Sequence, residues 1–155
     1  MQRFFIVLMF VFSLSSQAES LTAFTTDYCT NYPEGTPRSP NLWKNCCLEH
    51  DMFFWAGGSR EERNSIDLKL RECVAEKAGV QMANIMYYAV RAGSLSPVKF
   101  PDKKWNNGWR ERPDYKKLSE DDIDRIEAEI LSGYSFIPVS LKDNFIQHLR
   151  QRSPK

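Results

Sequence analysis

The chain is 155 residues long, with 21 Lys and Arg, 20 Asp and Glu and four Cys. That length fits one domain with a modest core, and the near-neutral balance argues against a nucleic-acid partner, which calls for a net basic surface. The balance hides two opposed patches: residues 99–117 carry seven basic and three acidic side chains, and residues 120–129 carry six acidic side chains and one Arg.

Residues 1–18 read as a secretory signal peptide. Arg3 precedes an apolar stretch from Phe4 to Phe12 that is too short to span a bilayer, and Ser16 and Ala18 occupy the small positions before a cut after Ala18. The expected mature chain, 19–155, loses only Arg3 among its charges. No later segment has the unbroken apolar length of a membrane span, so the protein is expected to be exported, soluble, and periplasmic or secreted. In such a compartment four Cys in a small chain read as two disulfides.

Leu21 to Pro40 is rich in Thr, Pro and Tyr without helical periodicity, which predicts a loop. Ser39 as cap and Pro40 at the first helical position predict a helix over 41–56, stopped by Gly57-Gly58. Ser59 and Glu62 form a capping box for a second helix that runs to about Ala78, with Gly79 as its stop. Val80 to Ala92 is apolar enough for a third, closed by Gly93. Residues 94–117 hold Pro97, Pro101, Pro113 and the turn signal Asn106-Asn107-Gly108 beside Trp105 and Trp109, the pattern of a packed irregular segment. Ser119 and Asp122 cap a fourth helix ending near Leu131, and Ser140 with Asp143 opens a short last one bearing Leu141, Phe145, Ile146 and Leu149. Strand signals are weak, so the expected class is mainly α: one domain with a core at 27–92 and additional C-terminal helices at 94–155.

Helix one holds the residues with chemistry to offer. Cys46-Cys47 is followed by His50 and Asp51. A His is the natural general base near neutral pH, and a carboxylate beside a loop is a natural ligand for a hard cation. Successive helical positions differ by about 100°, so Asp51 can address the preceding loop while His50 addresses helix two. Helix two supplies Asp67, six residues before Cys73. A bridge from Cys46 to Cys73 would leave His50 and Asp67 about 3 Å apart in height, although rotation about helix two permits their meeting without forcing it. If they meet, Asp67 fixes the imidazole and its tautomer. Zinc is disfavoured, because adjacent Cys on a helix are poor co-ligands and export favours their oxidation. The acidic run at Asp121, Asp122 and Asp124 lacks the spacing of an EF-hand, and neither G-x-S-x-G nor a P-loop occurs.

The pattern Tyr28-Cys29, Cys46-Cys47-x-x-His50-Asp51 and Asp67 with Cys73 resembles the core of secreted phospholipase A2, over roughly Asp27 to Val74. The resemblance implies a disulfide-linked antiparallel helix pair with bridges Cys29–Cys47 and Cys46–Cys73. It implies His50 as the base that activates water, Asp67 as its partner, and Asp51 as the carboxylate for Ca²⁺. Backbone carbonyls of the preceding loop would complete the calcium site, with Tyr28, Thr30, Tyr32, Glu34 and Gly35 as candidates. The implied activity is hydrolysis of the sn-2 ester of glycerophospholipids at a membrane surface. Three positions depart from the family: Phe54 stands where a Tyr helps to hold the aspartate, and Thr30 and Tyr32 stand where the loop has Gly. A non-catalytic lipid- or protein-binding module of the same fold is the alternative.

Outside this core, Trp105 and Trp109 among Lys103, Lys104, Arg110 and Arg112 suggest either a lipid-headgroup contact or core packing. Phe53, Phe54 and Trp55 read as packing beneath the site. His148, near the C-terminus among polar residues, reads as a surface residue.

Overall fold

A computed structural model describes residues 19–95 and 104–152. The signal peptide expected at 1–18, and Pro97 and Pro101, lie outside them. In chain order the elements are β1 (Ser20–Leu21), α1 (Lys44–Ala56), α2 (Arg60–Ala78), α3 (Val80–Leu95), β2 (Trp109–Arg110), α4 (Glu120–Ser132) and α5 (Val139–Arg152). The class is mainly α, as the pattern predicts. The two strands form one short antiparallel pair with Ser20 opposite Arg110 and Leu21 opposite Trp109. At two residues each, neither is long enough for alternation to show in the sequence.

Helix α1 starts three residues later than predicted. Ser39 is not its cap: its N–H and C=O are both committed to a two-way bridge with Thr36, at 3.0 and 2.9 Å. The N-cap is Trp43, with no side-chain cap bond; its indole Nε1 instead donates to the Pro33 carbonyl at 2.7 Å. The capping boxes at Ser59–Glu62 and Ser119–Asp122 form as predicted, and Gly79 ends α2. Gly93 does not close α3, which runs on to Leu95; Gly79 has the left-handed φ of a helix stop, +84°, whereas Gly93 is not among the positive-φ glycines. Helix α5 starts at Val139, with Leu141 and Lys142 donating to the Pro138 carbonyl, so Ser140 lies inside it rather than capping it.

Eight of the thirteen residues of α1 are buried, including Cys46, Leu48, Met52, Phe53 and Trp55. This helix therefore shows no single apolar stripe; it is wrapped on most sides. Two disulfides hold it: Cys46–Cys73 ties it to α2, and Cys29–Cys47 ties it to the N-terminal loop. Around these bridges pack Trp43, Leu70, Val74, Ala83 and Met86. A larger cluster joins Phe24, the rest of α1, Ile66, both Trp105 and Trp109, and Ile123, Ile126, Phe145 and Leu149 from α4 and α5. Asn64–Arg91 pairs an early residue of α2 with a late one of α3, and Arg71–Asn84 a later residue of α2 with an early one of α3, so α3 runs back along α2.

Residues 105–109 work as a plug for the end of α1. The last carbonyls of a helix have no partner within it. Here Asn106 N–H donates to Phe54 O at 2.8 Å and Gly108 N–H to Trp55 O at 3.0 Å, while the Trp109 indole donates to Ala56 O and the Trp105 indole to Gly58 O, both at 2.8 Å. A Cβ on Gly108 would lie 2.5 Å from Trp55 Nε1, so only glycine allows this approach.

Candidate active site

His50 and Asp51 leave α1 in different directions. His50, 9% exposed, turns to α2, where its Nε2 lies 2.9 Å from Asp67 Oδ1; Asp67 is wholly buried. Burial alone would raise the Asp67 pKa, but the hydrogen bond and charge of His50, the Arg91 bond and the Arg63 charge outweigh it, and the group sits below its ordinary value. An ionised carboxylate only accepts hydrogen bonds. Nε2 therefore carries a proton towards Asp67, and in the neutral imidazole Nδ1 is the nitrogen with the lone pair. The Phe54 ring packs on His50 with centroids 4.4 Å apart, and Trp105 meets Phe54 edge-on at 5.1 Å.

Asp51 turns to the loop. Thr26 Oγ1 donates to its Oδ2 at 2.6 Å and accepts from the Tyr28 N–H at 2.9 Å. Beside it Thr30 Oγ1 donates to Asp27 Oδ1 at 2.9 Å. Tyr28, Thr30 and Asn31 all have left-handed backbones, with φ of 58°, 34° and 58°. Such a conformation costs a non-glycine residue roughly 1–3 kcal/mol, and the Cys29–Cys47 bridge sits in the middle of the run. This is the stretch where the resembled family uses glycine.

These residues line one cavity of about 530 Å³. Its lining includes the polar Asp27, Asp51, Tyr28, Thr30 and Tyr32, His50, the apolar Leu70, Met86, Ala89 and Val90 with Gly93, and Arg63, Lys104 and Tyr115. Of the residues singled out in the sequence, His50, Asp51, Tyr28, Thr30 and Tyr32 thus meet in one cavity. Asp67 stands behind His50 rather than on the lining.

Other expectations do not hold. Glu34 and Gly35 are not on the cavity lining: the Glu34 carboxylate pairs with Lys44 at 3.3 Å and its carbonyl accepts from Trp43 N–H at 2.9 Å. Gly35 packs on the Ser39–Leu42 backbone so tightly that a Cβ would fall 2.0 Å from Ser39 O. Of the two readings of Trp105 and Trp109, core packing is the one that fits, with Trp105 also on the cavity lining. They are 3% and 2% exposed, and Trp109 is stacked between Arg112 and Arg125. His148 is not a free surface residue: its ring meets Phe53 at 4.9 Å and its Nε2 is buried without a hydrogen-bond partner. Burial, then the charges of Arg152 and Lys69, push its pKa down to about 4.

Arg91 was not among the sequence candidates. Its Nη1 donates to Asp67 Oδ2 at 2.9 Å, so the second oxygen of Asp67 is held by a guanidinium in the absence of a tyrosine at Phe54. A signal existed in retrospect, since Arg91 is the one charged residue in the sixteen of α3. Thr26 and Asp27 were missed because short polar residues in an aperiodic loop carry no pattern.

The donor chemistry suits a hard cation. Every Cys is oxidised, so no thiolate is on offer and zinc or another soft ion has no natural ligand. The lining instead offers the carboxylates of Asp51 and Asp27 and the hydroxyl residues Thr26 and Thr30, oxygen donors of the kind Ca²⁺ prefers. Among the described residues no group of three or more His, Cys, Asp or Glu converges, so backbone carbonyls would have to complete the shell. Among the described residues, no helix is long and apolar enough to cross a membrane. A scan against protein-family models, a search of curated proteins and a search of solved structures each found no match.

Proposed function

We propose that this cavity hydrolyses the sn-2 ester of a glycerophospholipid in a calcium-dependent reaction, with a disulfide-linked helix pair of the phospholipase A2 type as its frame. The observation that carries the reading is the His50–Asp67 pair at 2.9 Å, with His50 on the lining of a cavity that also holds the carboxylates of Asp27 and Asp51 and the apolar Leu70, Met86, Ala89 and Val90. The bridges Cys29–Cys47 and Cys46–Cys73 are those the resemblance implies, and disulfides accord with an exported, extracytoplasmic protein carrying a cleaved signal peptide.

In the proposed reaction His50 Nδ1 takes a proton from water, whose oxygen attacks the ester carbonyl carbon. Asp67 steadies the imidazolium that forms, and the proton passes to the departing alkoxide, releasing a fatty acid and a lysophospholipid. Asp51, with loop carbonyls at Tyr28, Thr30 and Tyr32, would hold calcium, whose charge would polarise the ester carbonyl and stabilise the oxyanion. Leu70, Met86, Ala89 and Val90 give the acyl chain an apolar surface out of water.

Fatty-acid release from mixed phospholipid vesicles tests the reading. Activity should require calcium, and His50→Gln should lower it by about 10³-fold or more, the scale of losing a general base together with the order it imposes. Release no greater than that of His50→Gln would end the hydrolase reading and leave the non-catalytic binding module.

A further inference from the structure

A lone Arg on a surface helix ordinarily reaches for solvent. Arg91 does not. Its Nη1 turns to α2 and donates both to Asn64 Oδ1 at 2.6 Å and to Asp67 Oδ2 at 2.9 Å, while about a third of the side chain stays exposed at 36%. Asp67 has no solvent exposure, so each of its oxygens needs a partner within the protein. Oδ1 has His50 Nε2 and Oδ2 has Arg91. Phe54, whose ring packs against His50, offers no donor.

We propose that Arg91 is a positioning residue for His50: by holding Asp67 Oδ2 it aims Oδ1 at His50 Nε2, and so selects the imidazole tautomer whose Nδ1 lone pair is open to the cavity. The reasoning is electrostatic as well as geometric. A buried carboxylate with a single partner is costly, and protonation or rotation relieves the cost. A protonated Asp67 both donates and accepts, so it no longer dictates which ring nitrogen carries the proton. A cation on its other oxygen removes both escapes. Both bonds leave the one Nη1, whose two N–H groups are fixed in the guanidinium plane and so set direction as well as charge, whereas a Lys ammonium would supply the charge with freely rotating donors.

The competing account is that Arg91 only clamps α3 to α2. The Arg71 Nε–Asn84 Oδ1 bond at 2.7 Å joins the same two helices without touching Asp67, and supplies the control. The role as catalytic aid rests on the hydrolase reading of His50; the tautomer role does not. The chain has two His, so ¹⁵N NMR of the disulfide-bonded protein, assigned with His148→Gln, reads the His50 ring directly at one mildly alkaline pH. Wild type and Asn84→Ala should show His50 with its proton on Nε2 alone. Arg91→Met should show both tautomers, and its kcat on phospholipid should fall about 10- to 100-fold, the usual cost of losing a group that orients a functional ligand, with KM within about twofold. Arg91→Lys should recover most of the tautomer preference.

Arg91→Met that keeps the Nε2–H tautomer overturns the proposal, whatever happens to turnover. So does a tautomer change that Asn84→Ala reproduces. If wild type hydrolyses nothing but Arg91→Met still mixes the tautomers, the phospholipase reading fails and the positioning role of Arg91 stands.

Discussion

Asp51 follows His50 in α1 and Asp67 pairs with its imidazole, and the two aspartates are set up for different work. Asp67 is sealed behind the imidazole, whereas Asp51 lines the cavity beside Asp27 and the left-handed loop. Calcium should therefore raise the melting temperature through Asp51. With oxygens drawn from one helix and a loop poor in glycine, affinity is expected in the extracellular range, about 10⁻⁴ to 10⁻³ M, and Mg²⁺ should do much less. Asp51→Asn should abolish the shift, and Asp67→Asn should leave it largely intact while impairing turnover. Isothermal titration of the two variants against wild type decides this; equal binding by Asp51→Asn removes the calcium mechanism. At His148 the prediction concerns pH. Its pKa in the folded protein is about 4 against an ordinary 6.5, so between these values the unfolded chain binds a proton that the folded chain refuses. Stability should be full above pH 6.5 and fall as pH drops towards 4, by roughly 1–3 kcal/mol. Denaturant melts of His148→Gln should be flatter than wild type across that window.

At the scale of elements, α4 is anchored by its first turn. Asp122 accepts from the Ser119 N–H at 2.9 Å and from Arg112 Nη2 at 2.8 Å, and the Arg112 side chain has no solvent exposure. Burial would raise the Asp122 pKa, but the Arg112 bond and the cap outweigh it and bring it to about 2 from 3.8. A depressed carboxylate stabilises the fold above its unfolded pKa, so this contribution, roughly 2 kcal/mol, should disappear as pH falls from 3.8 to about 2. Asp122→Ala should cost about 3–5 kcal/mol at neutral pH, because it strips the cap and leaves a buried guanidinium short of a partner. Chemical denaturation reads the loss, and a cost under about 1 kcal/mol would show that Glu19, 3.1 Å from Arg112 Nη1, suffices alone.

Across the whole molecule the cavity depends on residues distant in sequence. The 24–32 loop reaches α1 through Cys29–Cys47, a closure of 18 residues worth roughly 3 kcal/mol by the chain-entropy account, whose mechanism is model-dependent. The three left-handed residues around Cys29 add local cost that the bridge restrains. Cys29→Ser with Cys47→Ser should therefore lose calcium binding before it loses helix: circular dichroism should stay mainly α while the calcium-induced rise in melting temperature vanishes. Cys46 and Cys73 join α1 to α2 near the His50–Asp67 pair, so their replacement should lower both stability and turnover. Survival of the calcium response in the first double variant would place the metal away from this loop.

Much of the helical frame was legible because its signals are local. Ser59-x-x-Glu62 and Ser119-x-x-Asp122 satisfy their helix ends within four residues, and Gly79 needs no distant partner to take a left-handed φ. The spacing of His50 and Asp67 from Cys46 and Cys73 bounded their separation in height. Their contact depended on how α2 rolled against α1, which packing decides. The same limit explains Arg91, whose target lies 24 residues away, and Trp105 and Trp109, whose basic neighbours suggested a membrane until their indoles met the free carbonyls after Phe53. Ser39 had the chemistry of a cap, but Thr36 claimed its backbone first. Local capping, cysteine number and apolar content were thus written in the order of residues. Which carboxylate faced the cavity, which backed the histidine, and which arginine held it there were decided by tertiary packing, because burial makes every polar atom find a partner from whatever element lies nearest.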